Sequence, residues 1–235
     1  MPKDKKRPVS RRALGQETRT RLIDAAEHLF THSGYNGTSV REVALRAGVS
    51  LGVFGYHFAS KDDLFREVIE RRSHDHVAGV VACLDRLDAK AGNGDLTIDA
   101  VIRAFFQTST DWFMRGDEGM RNYVVLIGRS MSLPYYDSFL EPLGEIYDPA
   151  LTSLYRIVRR VFPDAQEERL HWSIYFLQAI FIHLMTQSRI VDRQSGDMCQ
   201  SADLDTVLDE LTPFLAAAFK ARLVDCAAGS ALPNS

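Results

Sequence analysis

Side-chain chemistry needs acids, bases, nucleophiles or metal donors at set spacings, and this chain offers few. His28 and His32 lie one helical turn apart, and His74-Asp75-His76 form a second small cluster. A zinc site needs three or four ligands; neither cluster has a third ligand at motif spacing, so both read as surface or half-buried histidines and no metal is assigned. The three cysteines, Cys83, Cys199 and Cys226, are scattered and form no C-x-x-C pair. They suggest neither a disulfide framework nor a cysteine zinc site, and a reducing compartment suits them. The chain has no G-x-S-x-G elbow, no G-x-x-x-x-G-K-[ST] loop and no H-E-x-x-H pair, so the common nucleophilic, phosphate-binding and zinc-peptidase chemistries are excluded and no enzyme or cofactor is expected.

Charge placement points to recognition instead. The net charge is −3, yet residues 1–21 carry eight Lys or Arg against Asp4 and Glu17, a local +6 that leaves −9 for the remainder. One basic end on an otherwise acidic chain suits contact with a polyanion, nucleic acid first. Taken alone, the basic end reads equally well as a solvated tail.

Hydrophobic residues make up 46% of 235 positions, enough to bury a sizeable core. No apolar run approaches the roughly 18–20 residues of a membrane span, and MPKDKKRPVSRR has no apolar stretch behind its charges, so a soluble, cytoplasmic protein is expected. Apolar spacing is helical throughout, with no alternating strand pattern and no repeat.

The first helix is predicted from Glu17 to Ser33, through Leu22, Ile23, Ala26, Leu29 and Phe30, with Gly34 at its C-terminal cap. Ser39-Val40-Arg41-Glu42 has the form of a capping box and starts a short second helix that ends at Gly48. Ser50 caps a third helix that stops near Ala59-Ser60, and Ser60-Lys61-Asp62-Asp63 opens a fourth that runs past Leu84 and Leu87. Three helices with a glycine turn between the second and third describe a helix-turn-helix. The stretch AKAGNGD, Ala89 to Asp95, is the clearest linker. Further helices are predicted over Thr97–Met114, Glu118–Met131, a segment reaching Phe162 after a Pro-containing junction at Leu133–Pro142, Ala165–Ile190 and Leu204–Leu223.

On the third helix, Val49, Phe54 and Phe58 are placed on an inner face, leaving Ser50, Leu51, Gly52, Val53, Tyr56 and His57 toward solvent. A helix entering the major groove needs that division. The segment from Thr38 to Leu64, with Ala25, Ala26, Leu29, Phe30, Gly34-Tyr35, Ala47-Gly48-Val49-Ser50, Tyr56-His57-Phe58 and Lys61-Asp62-Asp63-Leu64, resembles the DNA-binding module of TetR-type regulators over roughly residues 15–75. The resemblance implies base contacts from the start of the third helix, phosphate contacts from Tyr56, His57 and Lys61, and further backbone contacts from Thr38, Ser39 and Arg41. Two positions depart from the family: Gly55 stands where a Tyr is usual, and Leu51 where a polar or basic residue is usual. Gly52 and Gly55 each weaken a helix by about 1 kcal/mol relative to Ala, so this helix must be held by packing. Leu51 and Val53 at base-facing positions suit methyl contact with thymine.

The remainder carries weaker signals. Arg160-Val161-Phe162-Pro163, followed by Leu170-His171-Trp172 and Phe176, resembles regulators that sense fatty acyl compounds. Candidate effector contacts are Phe105, Trp112, Tyr123, Ile127, Met131, Tyr155, Trp172 and Tyr175, with Phe106, Tyr147 and His183 beside them. They are aromatic and aliphatic, with Arg129 the one nearby charge noted, so a small apolar effector, fatty acyl or aromatic, is expected. The stripes Leu170, Ile174, Leu177, Phe181, Leu184 and Leu204, Val207, Leu208, Leu211, Phe214, Leu215, Ala218, Phe219 lie on the last two helices, which the resemblance implies pair with a second subunit.

The expected protein is thus all-α: a flexible basic arm (1–14), a three-helix helix-turn-helix module (15–75), a helical ligand-binding and dimerisation domain (76–224) and a flexible tail (225–235). Its expected function is a homodimeric regulator on a palindromic double-stranded operator, a repressor released by its effector. Activation by the same fold, or a helical enzyme or partner-binding protein without DNA binding, are the alternatives.

Overall fold

The structure is a computed structural model that describes residues 11–91, 96–131 and 141–224. Among these, ten helices and no strand occur. Of the described residues, those up to Arg71 form one compact unit and those from Arg72 a second.

In the first unit, α1 (Arg11–Ser33), α2 (Val40–Arg46), α3 (Leu51–His57) and the opening turns of α4 (Lys61–Lys90) follow the caps written in the sequence. α1 starts six residues before the expected Glu17 and takes in Arg11 to Leu14, all good helix formers that fall within the expected flexible arm; the rest of the arm lies outside the described residues. Gly34 adopts φ +72°, and its N–H closes on the Phe30 carbonyl. α2 has the expected capping box: the Glu42 N–H donates to Ser39 Oγ and the Ser39 N–H to the Glu42 carboxylate. α2 ends in a Schellman closure. Gly48 takes φ +67°, its N–H donates to the Leu45 carbonyl, and the Val49 N–H reaches Ala44 O at 2.9 Å.

α1 packs on α2, and α2 on α3, over a core of Leu22, Ala26, Phe30, Val43, Ala44, Phe54, Phe58, Leu64, Phe65, Val68 and Ile69. Arg71 holds Asp24 at 2.6 Å and Glu27 at 3.3 Å, and Arg19 pairs with Glu67 while lying 5.0 Å from the Phe58 ring centre. These links clamp α1 to the first turns of α4 and to the end of α3.

The second unit contains the rest of α4, then α5 (Ile98–Arg115), α6 (Glu118–Met131), α7 (Glu141–Val161), α8 (Glu167–Met185), α9 (Ile190–Ser195) and α10 (Leu204–Leu223). Part of the AKAGNGD linker and most of the Leu133–Pro142 junction fall outside the described residues, as does the tail. α5 packs on α6, α7 and α10, and α8 on α6, α7 and α10. The α5 residues Ile98, Val101, Ile102, Phe105 and Phe106 are buried together with Leu154, Ile157 and Val158 of α7 and Leu170, Ile174, Leu177 and Phe181 of α8. Gly128 is required where α6 meets α8, because a Cβ there would come within 2.8 Å of Met185 backbone. The single helix expected over Ala165–Ile190 is broken instead: Gln187 and Arg189 adopt left-handed backbone, and α9 follows as a separate short helix. Arg156 joins α7 to Asp85 and Asp88 on α4.

Candidate nucleic-acid interface and effector cavity

The third helix presents the two faces that its spacing demands. Phe54 and Phe58 are buried and Val49 is half-buried, whereas Ser50, Leu51, Gly52 and Val53 are exposed and Tyr56 is 84% exposed. Ser50 caps the helix by accepting from the Val53 N–H at 3.3 Å. Two glycines in seven residues leave α3 with weak intrinsic helicity; the cap and the phenylalanine anchors hold it. The Tyr56 and His57 rings meet edge to face at 5.1 Å, forming an aromatic pair at its end, with His57 half-buried.

Lys61 begins α4, with its ammonium 4.0 Å from the Tyr35 ring centre. Partial burial draws its pKa below the usual lysine range, against the opposing pull of Asp62 and Glu42. Tyr35 in turn donates to the Asp62 carboxylate and packs on Phe30 and Phe65. Ser39 and Arg41 are exposed at the start of α2. Thr38 departs from its expected role. Its side chain is 3% exposed and its hydroxyl donates to the Gly34 carbonyl at 2.9 Å, so it closes the α1–α2 turn instead of facing outward.

In the second unit a cavity of about 50 Å³ lies among α4 to α8. Phe105, Met131 and Tyr147, all expected, line it, together with His76, Val80, Ala150, Leu151, Gln178, Phe181 and Ile182. Tyr123 stands behind this lining, its hydroxyl 2.5 Å from that of Tyr147, and burial pushes both phenols above their ordinary pKa. Half-buried Trp112 stacks edge-on against His76 at 5.1 Å and Tyr123 at 5.7 Å. Ile127 is buried on α6 and Phe106 packs on Phe181, and neither lines the cavity.

Three expected contacts and one accompanying residue are elsewhere. Tyr155 donates to Glu167 and stacks on His171, in a surface network with Arg159. Trp172 and Tyr175 are 46% and 58% exposed on the outer side of α8, and His183 is also exposed. Aromatic character alone did not reveal which way these side chains point.

His76 was missed. It is 1% exposed, not a surface or half-buried residue, and it faces the cavity. Its Nε2 lies 2.8 Å from Ser109 Oγ, and burial lowers its pKa to about 4. The signal was its spacing: Ile69, Ser73, His76 and Val80 recur at helical intervals, and all are buried. Among the described residues, no group of three or more metal-ligating side chains comes together, and no helix is long and apolar enough to cross a membrane.

The outer faces of α8 and α10 carry a second set of apolar groups. Trp172 stacks on Phe176 at 5.8 Å, and Phe214 of α10 is 67% exposed. An open groove of about 990 Å³ is lined by Leu184, Val191, Met198, Val207, Leu211 and Phe214 among others. Of the expected α8 stripe, Leu170, Ile174, Leu177 and Phe181 are buried, whereas Leu184 lines the open groove together with Val207, Leu211 and Phe214 of the α10 stripe.

Comparison with known proteins agrees with this division. Residues 22–68 match the family described as bacterial regulatory proteins, tetR family, and residues 103–218 match the tetracyclin repressor-like C-terminal domain. The HTH-type transcriptional regulator AcrR of Shigella flexneri is 46% identical over 55 residues, 23% of this chain and 26% of that protein. The HTH-type transcriptional activator FasR of Mycolicibacterium smegmatis is 32% identical over 105 residues, 45% of this chain and 44% of its own length. The chain thus spans less than half the length of these curated relatives. A tetR-family regulatory protein from Rhodococcus RHA1 superposes with a TM-score of 0.60 at 14% identity over 89% of this chain and 97% of that one, a likeness of fold. The matched families and relatives are DNA-binding regulators, not enzymes. With the helix-turn-helix and most of the second unit each matched by a family of the same kind, the chain belongs to the TetR family of helix-turn-helix transcriptional regulators.

Proposed function

We propose that this regulator is a cytoplasmic homodimer that binds a palindromic operator through α3 and represses transcription until a small apolar effector enters the second-unit cavity. One observation carries the DNA-binding part: Leu51, Val53 and Tyr56 project from a capped helix whose opposite face, Phe54 and Phe58, is buried. Leu51 and Val53 offer methyl groups to base edges. Tyr56, His57, Lys61, Ser39 and Arg41 supply donors for phosphates, and the basic N-terminal residues add sequence-independent attraction. Two such helices spaced about one DNA turn apart read a palindrome, which a dimer supplies.

α4 supports the coupling. It is one helix from Lys61 to Lys90, with Lys61 at its start and the cavity residues His76 and Val80 further along it. An effector that shifts α4 changes operator affinity, typically by about 1–3 kcal/mol, and operator DNA must weaken effector binding by the same factor.

The test is a gel shift of the purified protein on fragments of its own promoter region, repeated across salt concentrations and followed by transcription in vitro. Specific retention that weakens steeply with salt, with transcription falling as protein is added, is the expected result; absence of specific retention removes the reading. Activation is the second reading, favoured by the similarity to a relative named as an activator, and transcription that rises on addition of protein would establish it.

A further inference from the structure

The cavity among α4 to α8 is selective by what it lacks as well as by what it holds. Among the described residues, no Asp, Glu, Lys or Arg lines it, and its polar groups are His76, Tyr147 and Gln178. A charged ligand would lose its hydration with no counter-ion to replace it. The wall is aromatic, since Phe105 and Phe181 meet at 5.1 Å between ring centres. The volume, about 50 Å³, exceeds the ~10–15 Å³ that one water needs and falls short of the ~150 Å³ of a cavity that takes benzene. Half-buried Met131, Leu151 and Ile182 line it, and their flexible side chains can yield to one ring. An extended acyl chain would need far more room.

His76 sets the polar requirement. Nε2 faces Ser109 Oγ at 2.8 Å, while Nδ1 has no hydrogen-bond partner among the described residues although the side chain is 1% exposed. Leaving such a group unpaired is destabilising, a penalty that a bound polar atom removes. Depending on how the Ser109 contact orients the imidazole, Nδ1 is a donor or an acceptor, and a hydroxyl can serve either. The depressed pKa keeps the ring neutral near pH 7, so it offers no cation to a carboxylate.

Resting on the reading of this cavity as the effector site, we propose that the effector is a small uncharged phenol or aromatic alcohol whose hydroxyl bonds to His76 Nδ1. This narrows the fatty acyl or aromatic alternatives to the second.

Three probes of similar shape separate the chemistry: p-cresol, p-xylene, in which a methyl replaces the hydroxyl, and 4-methylbenzoate, which carries a charge. Calorimetric titration of the full chain should show p-cresol binding about tenfold tighter than p-xylene, with no saturable binding of 4-methylbenzoate. The His76 imidazole nitrogen resonances of the unaltered protein should move with p-cresol and not with p-xylene. In His76→Leu, the two neutral probes should bind within about twofold of each other. Preference for the carboxylate, equal binding of cresol and xylene to the unaltered protein, unmoved His76 signals, or no binding at millimolar concentration would each overturn the proposal. The effector-free gel shift stands apart from these outcomes: its failure removes the regulator reading, whereas failure of the cresol series alone leaves DNA recognition intact.

Discussion

The Lys61 ammonium lies 4.0 Å from the centre of the Tyr35 ring, and the Tyr35 hydroxyl is bonded to Asp62, the residue after Lys61. One tyrosine therefore fixes both the cation that opens α4 and the carboxylate next to it. A cation over an aromatic face gains roughly 0.5–1 kcal/mol at an exposed site, so this contact serves placement more than stability. Lys61→Met should shift stability by less than about 1 kcal/mol. If Lys61 neutralises a phosphate, the slope of log affinity against log salt should fall by about 1 while sequence preference stays the same. A salt titration of operator binding checks both, and an unchanged slope places Lys61 outside the interface.

Leu51 should act on preference instead. It is exposed one residue past the Ser50 cap, where α3 would meet base edges. Truncation to Ala removes the branched methyls without touching the buried Phe54 or Phe58. Binding-site selection with Leu51→Ala should lose preference for thymine at one position per half-site, a change of about 1 kcal/mol or more, with nonspecific affinity preserved. The same selected sequence from both proteins would rule out the methyl contact.

The α1–α2 turn should tolerate substitution poorly. A Cβ at Gly37 would stand 2.2 Å from the Ser33 carbonyl oxygen, and that neighbour is backbone, so no rotamer relieves the overlap. Gly37→Ala should destabilise by about 2 kcal/mol or more, seen as a lower urea midpoint and weaker operator binding. Gly55→Ala, with nothing within 4 Å of the added Cβ, should instead stabilise α3 by up to about 1 kcal/mol.

The caps and turns were legible because their signals are local. Ser39 with Glu42, Ser50, Gly34 and Gly48 each fix a boundary through atoms three to five residues apart. The inner face of α3 was legible too, since Phe54 and Phe58 lie one helical turn apart, although Leu51 and Val53 on its outer side are apolar as well. α8 defeats the same logic, because Leu170, Ile174, Leu177 and Phe181 on one face and Trp172 and Phe176 on the other are all apolar. Periodicity cannot say which face is core when both qualify. His76 was obscured by its polar neighbours His74 and Asp75, although its spacing placed it inside. Thr38 belongs to the family pattern, yet burial gives its hydroxyl to Gly34.

His76 should make stability depend on pH. Its folded pKa is lowered to about 4 from an ordinary 6.5, burial being the cause. The folded state therefore resists a proton that the unfolded chain accepts. The neutral ring's contribution is complete above pH 6.5 and is lost as pH falls from there toward 4, by on the order of 3 kcal/mol over the whole interval. Urea unfolding of the unaltered protein at pH 7 and pH 5 should show this fall, and His76→Leu should show less of it. Equal pH dependence in the two proteins would mean that His76 is not titrating in this window.

The exposed aromatic face of α8 and α10 makes the last prediction. Trp172 and Phe176 are stacked in solvent contact, and Phe214 is more exposed than buried. Exposed aromatic clusters such as Trp172 with Phe176 suit an interface, and a second copy of α8 and α10 would cover them by twofold symmetry. Trp172→Glu combined with Phe214→Glu places two charges on that surface without entering the core, where Leu170, Leu177, Leu215 and Phe219 remain in place. Sedimentation should then show a dimer for the unaltered protein and a folded monomer for the double variant. Operator affinity should drop at least about 100-fold, because the two half-sites are no longer bound by linked recognition helices. A double variant that stays dimeric would move the interface to another face, and a monomer with full operator affinity would remove the need for paired α3 helices.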